Sequence, residues 1–143
     1  MKCVVDTNII NRLVDGTFFL EDLPPDTECV ATHVQIDELS NTKDTERRAK
    51  LFLKFATTVE YVIPTESTVL GISRVGYSKL SDGNQYNLVK AELDSLNGGK
   101  SSNIQDALIA EVAIANGYIL LTADYHLFEV ANKHGCAVQY VAI

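Results

Sequence analysis

The sequence predicts an α/β protein in which helices cover both faces of a central, twisted parallel sheet of about five strands. Short apolar segments alternate along the chain with segments of helical periodicity, which is the pattern of parallel strands joined by crossover helices. Two of the apolar segments, ending at Val5 and Leu121, lead into polar and acidic residues. In open parallel sheets, ligands gather beyond strand ends of this kind. We therefore expect a three-layer α/β/α arrangement with a functional edge.

Composition limits the classes of protein that the chain can represent. The 143 residues, 46% of them hydrophobic, suffice for one globular domain over 1–143 with a sizeable core. The sequence contains neither a run long enough to span a membrane nor a leader-like N-terminus, so we expect a cytoplasmic protein without membrane contact. The formal charge of -7 argues against non-specific coating of nucleic acid. It leaves open a nuclease whose contacts are local and assisted by a metal.

The chain begins with a predicted strand over 3–5. Asn8 precedes a short apolar segment over 9–14, which predicts a helix. The proline-containing segment 23–26 predicts a loop, and the segment 28–31 predicts a second short strand.

The second helix is predicted from a capping box. Thr32 and Gln35 have the spacing at which each side chain satisfies a backbone group in the first turn. A helix that begins here carries Glu38 in its second turn, and Asn41 and Thr42 end it.

A longer helix is predicted over 45–58, and a third strand over 59–63 follows it. Apolar residues at helical spacing define the face of this helix that we expect to meet the core: Ala49, Phe52, Leu53 and Ala56. The strand ends at Pro64.

The middle of the chain predicts two more helices separated by a turn at 82–84. The first has one face formed by Val69, Ile72, Gly76 and Leu80. The second is an additional helix over 84–97, with its apolar face formed by Val89, Leu93 and Leu96.

The C-terminal part predicts a helix capped by Asn103, with Asp106 in its first turn and a stop at 116–117. Its expected inward positions are Ile104, Leu108, Val112 and Ala115. A strand over 118–121, a helix over 127–134 and a strand over 137–141 complete the chain.

Four carboxylates are expected at one edge of the sheet: Asp6, Glu38, Asp106 and Asp124. Taken singly, each has a simpler explanation as a helix cap, a turn residue or a surface residue. Together they indicate a site for a cation, because crowded carboxylates repel one another unless a cation neutralises them. A hard ion bound through oxygen, Mg²⁺ or Mn²⁺, suits this set. Zinc suits it poorly, since the cysteines and histidines are scattered.

Four motifs occur in order along nearly the whole chain: Val5-Asp6-Thr7-Asn8, then Thr32 with Glu38-Leu39, then Asp106-Ala107-Leu108-Ile109-Ala110 followed by Ala113, and Leu121-Thr122-Ala123-Asp124 with Phe128. This series resembles the PIN domain, and more narrowly the VapC-like toxins of bacterial toxin–antitoxin pairs. The resemblance implies a single PIN-like domain with strand order 3-2-1-4-5.

The resemblance also implies an activity. It implies an endoribonuclease in which Asp6, Glu38, Asp106 and Asp124 bind one or two Mg²⁺ or Mn²⁺ ions and act as the catalytic residues. Asn8 and Thr122 match positions that orient ligands, water or phosphate. The implied reaction is hydrolysis of an RNA phosphodiester by metal-activated water, which leaves a 5′-phosphate. The implied partners are a second copy of the chain and a small antitoxin.

Two departures from the family pattern concern substrate and partner. The segment 63–106 is longer than in the smallest toxins, and its helix over 84–97 can reshape the groove or the dimer contact. Many family members also carry a further acidic residue after the fourth strand, where this chain has Tyr125 and His126.

Two other classes of protein are compatible with part of this pattern. A phosphoacceptor or phosphatase domain that forms an aspartyl phosphate also places an Asp after its first strand. Such a domain requires a Lys near a late strand, and the segment 121–124 contains none. A catalytically silent module that binds RNA or protein would keep the fold without the activity. The intact acidic set argues against it, because clustered charge costs stability when nothing neutralises it.

Overall fold

The computed structural model describes residues 1–67 and 84–142. Five parallel strands form one sheet: β1 (Lys2–Val5), β2 (Glu28–Ala31), β3 (Val59–Val62), β4 (Ile119–Thr122) and β5 (Val138–Tyr140). The strand order is β3-β2-β1-β4-β5, which confirms the predicted parallel sheet and its order. The chain winds from β1 towards β2 and β3 first and then crosses back to β4. The winding direction therefore reverses at the contact between β1 and β4.

Six helices lie within the described residues: α1 (Thr7–Asp15), α2 (His33–Ser40), α3 (Thr45–Thr58), α4 (Asn84–Asn97), α5 (Asn103–Asn116) and α6 (Tyr125–Lys133). The predicted helix with Val69, Ile72, Gly76 and Leu80 lies outside the described residues, as do the first two residues of the predicted turn at 82–84, while Asn84 begins α4. No helix within the described ranges combines the length and the apolar character that crossing a membrane requires.

The helices cover the two faces of the sheet, because side chains along each central strand alternate between two cores. Val4, Val30 and Leu120 point into one core, which α4, α5 and α6 complete. Their strand neighbours, among them Val5 and Leu121, point into the other core, to which α1, α2 and α3 contribute. This division confirms the three-layer α/β/α arrangement.

The capping box of α2 is present as predicted. The Thr32 hydroxyl accepts a 3.1 Å hydrogen bond from the backbone N–H of Val34, and Oε1 of Gln35 accepts a 2.9 Å bond from the backbone N–H of Thr32. The helix ends at Asn41, also as predicted. The phase of α2, and hence the direction of Glu38, is thus set at its first turn.

The predicted core face of α3 is wrong except at Phe52. Leu51, Phe55 and Thr58 are the buried residues, with Phe52 partly buried beside them. Leu53 is 68% exposed, and Ala49 and Ala56 are also exposed. Apolar residues occupy two overlapping helical stripes in this segment, and packing against α1, α2 and β3 buries the stripe that the sequence pattern did not favour.

Three further expectations are corrected on α4 and α5. Ser102 is the residue that precedes α5, and it makes no capping bond, whereas Asn103 is the first helical residue. The Asn103 side chain instead turns towards α4. Leu96, on α4, is 46% exposed, and Ala115, on α5, is also exposed, because each lies near the end of its helix.

Candidate active site

The candidate site lies where β1 and β4 end side by side. Asp6 follows β1 directly, and Asp124 lies two residues beyond β4. The backbone N–H of Asp6 donates a 2.9 Å hydrogen bond to the carbonyl of Leu121, which fixes the two strand ends against each other. This is the point at which the winding direction of the sheet reverses, and such points form ligand-binding crevices in open parallel sheets.

Asp6 is the most enclosed of the four predicted carboxylates, with 3% of its surface exposed. Its Oδ1 accepts a 2.7 Å hydrogen bond from the backbone N–H of Thr7, at the start of α1. Its Oδ2 accepts bonds from the Thr122 hydroxyl (2.8 Å) and from the Asn8 side-chain amide (3.0 Å). Asp6 is therefore both a helix cap and the centre of a side-chain network.

The two residues predicted to orient the site join the end of β4 to that of β1. The Thr122 oxygen donates to Asp6 and accepts a 3.0 Å hydrogen bond from the backbone N–H of Asp124. The Asn8 side-chain oxygen accepts a 3.0 Å bond from the backbone N–H of Ala123. Asn8 and Thr122 thus hold the Asp6 carboxylate and the loop that carries Asp124 in one arrangement.

Glu38 reaches the site from α2 through a residue that the sequence analysis did not assign a role. The Thr7 hydroxyl donates a 2.8 Å hydrogen bond to Oε1 of Glu38, so Thr7 contacts Asp6 with its backbone and Glu38 with its side chain. Gln35, fully buried, donates a 2.9 Å bond from Nε2 to the carbonyl of Val5. Gln35 thereby anchors α2 to the end of β1. Its capping-box position was visible in the sequence, but its second contact was not.

Asp106 projects from the first turn of α5 and is 9% exposed. Within the described residues its carboxylate makes no hydrogen bond, so the expected alternative, that it caps the amides of its own helix, does not apply. It lies close enough to Asp6, Glu38 and Asp124 for their charges to raise its pKa. The four predicted carboxylates therefore face one region of the molecule.

Asp124 has a structural role as well. Its Oδ1 accepts hydrogen bonds of 2.9 and 3.3 Å from the backbone N–H groups of His126 and Leu127, which caps α6. The turn-forming explanation weighed from the sequence is thus realised for one oxygen. The other oxygen, Oδ2, makes no hydrogen bond within the described residues.

Burial and mutual repulsion raise the pKa of three of these carboxylates. Burial is the largest cause in each case. The charge of Asp6 adds to it and raises the pKa of Glu38 to about 7. The pKa of Asp6 is raised by burial and by Asp124, against the hydrogen bonds from Thr122, Thr7 and Asn8. For Asp106, the charge of Lys100 opposes the effects of burial and of the three neighbouring carboxylates. Keeping these acidic groups buried and close together therefore lowers the stability of the folded protein, and a bound cation would reduce that loss.

The donor set fits a hard divalent cation. Within residues 1–67 and 84–142, no group of three or more acidic, histidine or cysteine side chains is close enough together to hold a metal ion by itself. Mg²⁺ does not need one, since it is commonly bound through one or two carboxylates and completes its shell with water and phosphate oxygens. Oxygen-only donors, and a buried Asp106 without a hydrogen-bond partner in the described chain, suit this mode of binding.

A cleft of about 410 Å³ opens beside Asp124. Asn8 and Asp124 line it together with three basic side chains, Arg12, Lys100 and His126. Arg12 and Lys100 did not stand out in the sequence, because they are separated by most of the chain and only the fold places them at one cleft. The cleft therefore combines the acidic edge with positive charge.

No model of a protein family matches the chain, and no curated protein matches it. Solved structures do: a chain of VapBC2 from Rickettsia felis, solved with a DNA fragment from its promoter, has 19% identity and a TM-score of 0.63, with 99% of each chain covered. A chain of VapBC-1 from nontypeable Haemophilus influenzae has 18% identity and a TM-score of 0.53, with 98% of each covered.

A third similar structure is VapBC-5 from Mycobacterium tuberculosis, described as a member of the VapBC family of toxin-antitoxin systems. It has 18% identity and a TM-score of 0.51, and covers 99% of this chain and 98% of its own. At such identities the likeness concerns the fold alone. The chain therefore has a VapC-like fold.

Proposed function

We propose that this protein is an endoribonuclease that requires Mg²⁺ or Mn²⁺ and hydrolyses RNA phosphodiester bonds. The observation that carries the proposal is the set of four carboxylates at the edge where β1 and β4 end. Three of them have raised pKa values, and the hydrogen bonds around Asp6 come from neutral groups. A cation site is the simplest reason to retain buried acidic groups in this arrangement.

In this proposal Asp6, Glu38, Asp106 and Asp124 hold one or two ions. A bound divalent cation supplies an activated water and neutralises the charge that develops on the phosphate. The chain itself fixes the ligands. Thr122 and Asn8 hold Oδ2 of Asp6 towards β4, and Thr7 holds Oε1 of Glu38.

Basic side chains at the cleft bind the negative charge of the RNA phosphates in this proposal. Arg12 and Lys100 line the same opening as Asp124, beside His126, so a phosphate that reaches the acidic edge also meets the charges of Arg12 and Lys100. This arrangement offsets locally the net charge of -7, which opposes RNA over the rest of the surface. The proposed product carries a 5′-phosphate.

We further propose that the protein is the toxin of a toxin–antitoxin pair, that it acts as a homodimer, and that a small antitoxin inhibits it. Support comes from the VapBC structures with the same fold, one of which is described as belonging to a family of toxin–antitoxin systems. A test is coexpression with the product of a neighbouring short gene. Copurification of the two proteins with loss of RNA cleavage is the expected result, and cleavage unaffected by that product would contradict this role.

One observation favours a second candidate, a catalytically silent module that binds RNA. The described residues contain no group of three side chains that holds a metal by itself. If this candidate is correct, the wild-type protein binds RNA and leaves it intact at every concentration of Mg²⁺ or Mn²⁺.

The experiment that separates the two is cleavage of RNA by purified wild-type protein with Mg²⁺, Mn²⁺ or a chelator, beside Asp6→Asn. Asn keeps the shape and accepts the Thr122 hydrogen bond but removes the charge. We expect cleavage by the wild type with metal only, and none by Asp6→Asn with an unchanged circular dichroism spectrum. Undiminished cleavage by Asp6→Asn would overturn the proposal.

A further inference from the structure

Three aromatic rings form a continuous surface beside the candidate site. The ring centroids of Tyr125, Phe128 and Tyr140 are 5.6 to 5.8 Å apart, with interplanar angles from 31° to 79°. We call these three residues the aromatic platform. Tyr125 is 53% exposed and Tyr140 is 38% exposed, while Phe128 lies partly buried against both. The two tyrosines therefore present ring surface to the solvent, supported by a third ring.

The aromatic platform lies on the same edge of the sheet as the carboxylates. Tyr140 is the last residue of β5 and is paired in register with Thr122, the last residue of β4. Tyr125 follows Asp124 directly and begins α6. The parallel register thus places the platform one strand away from the Asp6–Thr122 contact, on the side of β5.

The cleft connects the aromatic platform to positive charge. Tyr125 lines it together with Asp124 and the basic residues Arg12, Lys100 and His126. Within the part of the chain that the structure describes, Arg12 and Lys100 form no ion pair. The charge of Lys100 acts on Asp106 and that of Arg12 on Asp15, and both side chains line the cleft, where a phosphate would meet them.

Charge also distinguishes the two sides of Tyr125. Glu129, one turn along α6, interacts with the Tyr125 hydroxyl. The Glu129 carboxylate disfavours a phosphate near the Tyr125 hydroxyl, whereas Arg12 and Lys100 favour one at the cleft. The surface that remains for a ligand at the platform is aromatic and uncharged.

We propose that the aromatic platform is a stacking subsite for an unpaired base of single-stranded RNA, next to a phosphate held at the cleft by Arg12 and Lys100. This inference rests on the proposed function and specifies its substrate class. Stacking of bases on aromatic side chains beside a basic groove is the usual way in which proteins bind single strands without reading their sequence. In duplex RNA the bases are already stacked, so a duplex cannot supply the ring that the platform accepts.

The test measures RNA binding in the Asp6→Asn background with a chelator, so that no cleavage interferes. The probes are a short fluorescent single-stranded RNA, a series of the same RNA with one abasic position each, and its blunt duplex. The variants are Tyr125→Ala, Tyr140→Ala and Tyr125→Phe. Tyr61→Ala is the matched control, because Tyr61 is 52% exposed but lies on β3, at the opposite end of the sheet order.

We expect Tyr125→Ala to weaken binding of the single strand by about tenfold, which is the scale of one base stacked on an aromatic ring. Tyr140→Ala should weaken it in the same direction. Tyr125→Phe should keep the affinity, since the ring remains, and Tyr61→Ala should leave it unchanged. One abasic RNA should bind the unmutated platform about tenfold more weakly and lose nothing further on Tyr125→Ala.

Three results would overturn the inference. The first is equal affinity of Tyr125→Ala and the parent for the single strand, and the second is an equal loss of affinity on Tyr125→Ala for intact and for abasic RNA. The third is a dimer that Tyr125→Ala converts to monomer, because the platform would then be a contact between copies of the chain. The proposed function is tested separately, by metal-dependent cleavage with the wild type. Stacking without cleavage would overturn the nuclease proposal and leave the subsite intact. Cleavage of single-stranded RNA by Tyr125→Ala and Tyr140→Ala with an unchanged KM would overturn the subsite alone.

Discussion

The Thr122 hydroxyl donates a 2.8 Å hydrogen bond to Oδ2 of Asp6, although the two residues are 116 positions apart in the chain. The bond joins the ends of two neighbouring parallel strands. It also favours the charged form of Asp6, against the burial that favours the protonated form. One contact thus links the topology of the sheet to the ionisation of the candidate site.

Thr122→Val removes this hydroxyl and keeps the shape of the side chain. We expect the pKa of Asp6 to rise, because the bond from Thr122 is the largest influence that lowers it. Cleavage should fall by about 10- to 100-fold, as is common when a partner of a metal ligand is removed. The measurement is kcat/KM against pH, whose acidic limb should move upward. Thr122→Ser is the control and should stay near the wild type, whereas equal profiles for Val and Ser would refute this role.

The stability of the metal-free protein should depend on the ionisation of Glu38. In the folded chain its pKa is about 7, above its ordinary 4.5, so the folded state binds the proton more tightly. The stabilising contribution is therefore fully present below about pH 4.5 and is lost as the pH rises through about 7. Its size is about 3 kcal/mol at most.

Urea unfolding with a chelator present measures this effect. Glu38→Gln removes the titrating group, so the decline of the free energy of unfolding across that pH range should be shallower than in the wild type. Glu46→Gln, at an exposed position of α3, serves as the control. Parallel curves for Glu38→Gln and the wild type would contradict the assigned cause.

Much of the fold was predictable because its signals are local. The alternation of apolar runs and helical segments predicted the parallel sheet, and Thr32 with Gln35 predicted the start of α2. The face of α3 was not predictable, since Leu53 and Leu51 are equally apolar and only the packing of the helix against α1, α2 and β3 distinguishes them. Asn103 was predicted as a cap for its residue type, but the cap position is one residue earlier.

The contacts of the candidate site were less predictable than its residues. The order of the motifs identified Asp6 and Asp124 as candidate site residues. Because both follow strands of a predicted parallel sheet, their proximity was also predicted. The bridge from Thr7 to Glu38 depends on the angle at which α2 leaves β2, which no local pattern specifies. The cleft likewise joins Arg12 to Lys100, residues that only the completed fold brings to one opening.

Asn103 should position Asp106 indirectly, through the first turn of α5. Its side-chain amide, fully buried, donates hydrogen bonds to Asp94 (2.7 Å) and Asn97 (2.8 Å) of α4, which fixes the first turn of α5. Asn103→Ala removes these hydrogen bonds to two half-buried acceptors, one of them charged, and should cost about 1 to 3 kcal/mol in urea unfolding. Cleavage should fall with it.

Asn116→Ala is the matched control for this prediction, since Asn116 lies at the exposed end of the same helix. It should change the free energy of unfolding less than Asn103→Ala and leave cleavage unchanged. Equal losses from the two variants would mean that Asn103 supports α5 in general and not the turn that carries Asp106.

The most direct test of the central claim, that four carboxylates at one edge bind a divalent cation, is calorimetric titration of Mn²⁺ into the full chain, with thermal unfolding as a second readout. We predict one or two ions per wild-type chain and a melting temperature raised by a few degrees at saturating Mn²⁺, because only the folded chain assembles the ligands. Asp6→Asn should lose both effects while keeping its fold. The absence of both at millimolar Mn²⁺ in the wild type, or an unchanged titration in Asp6→Asn, would contradict the account.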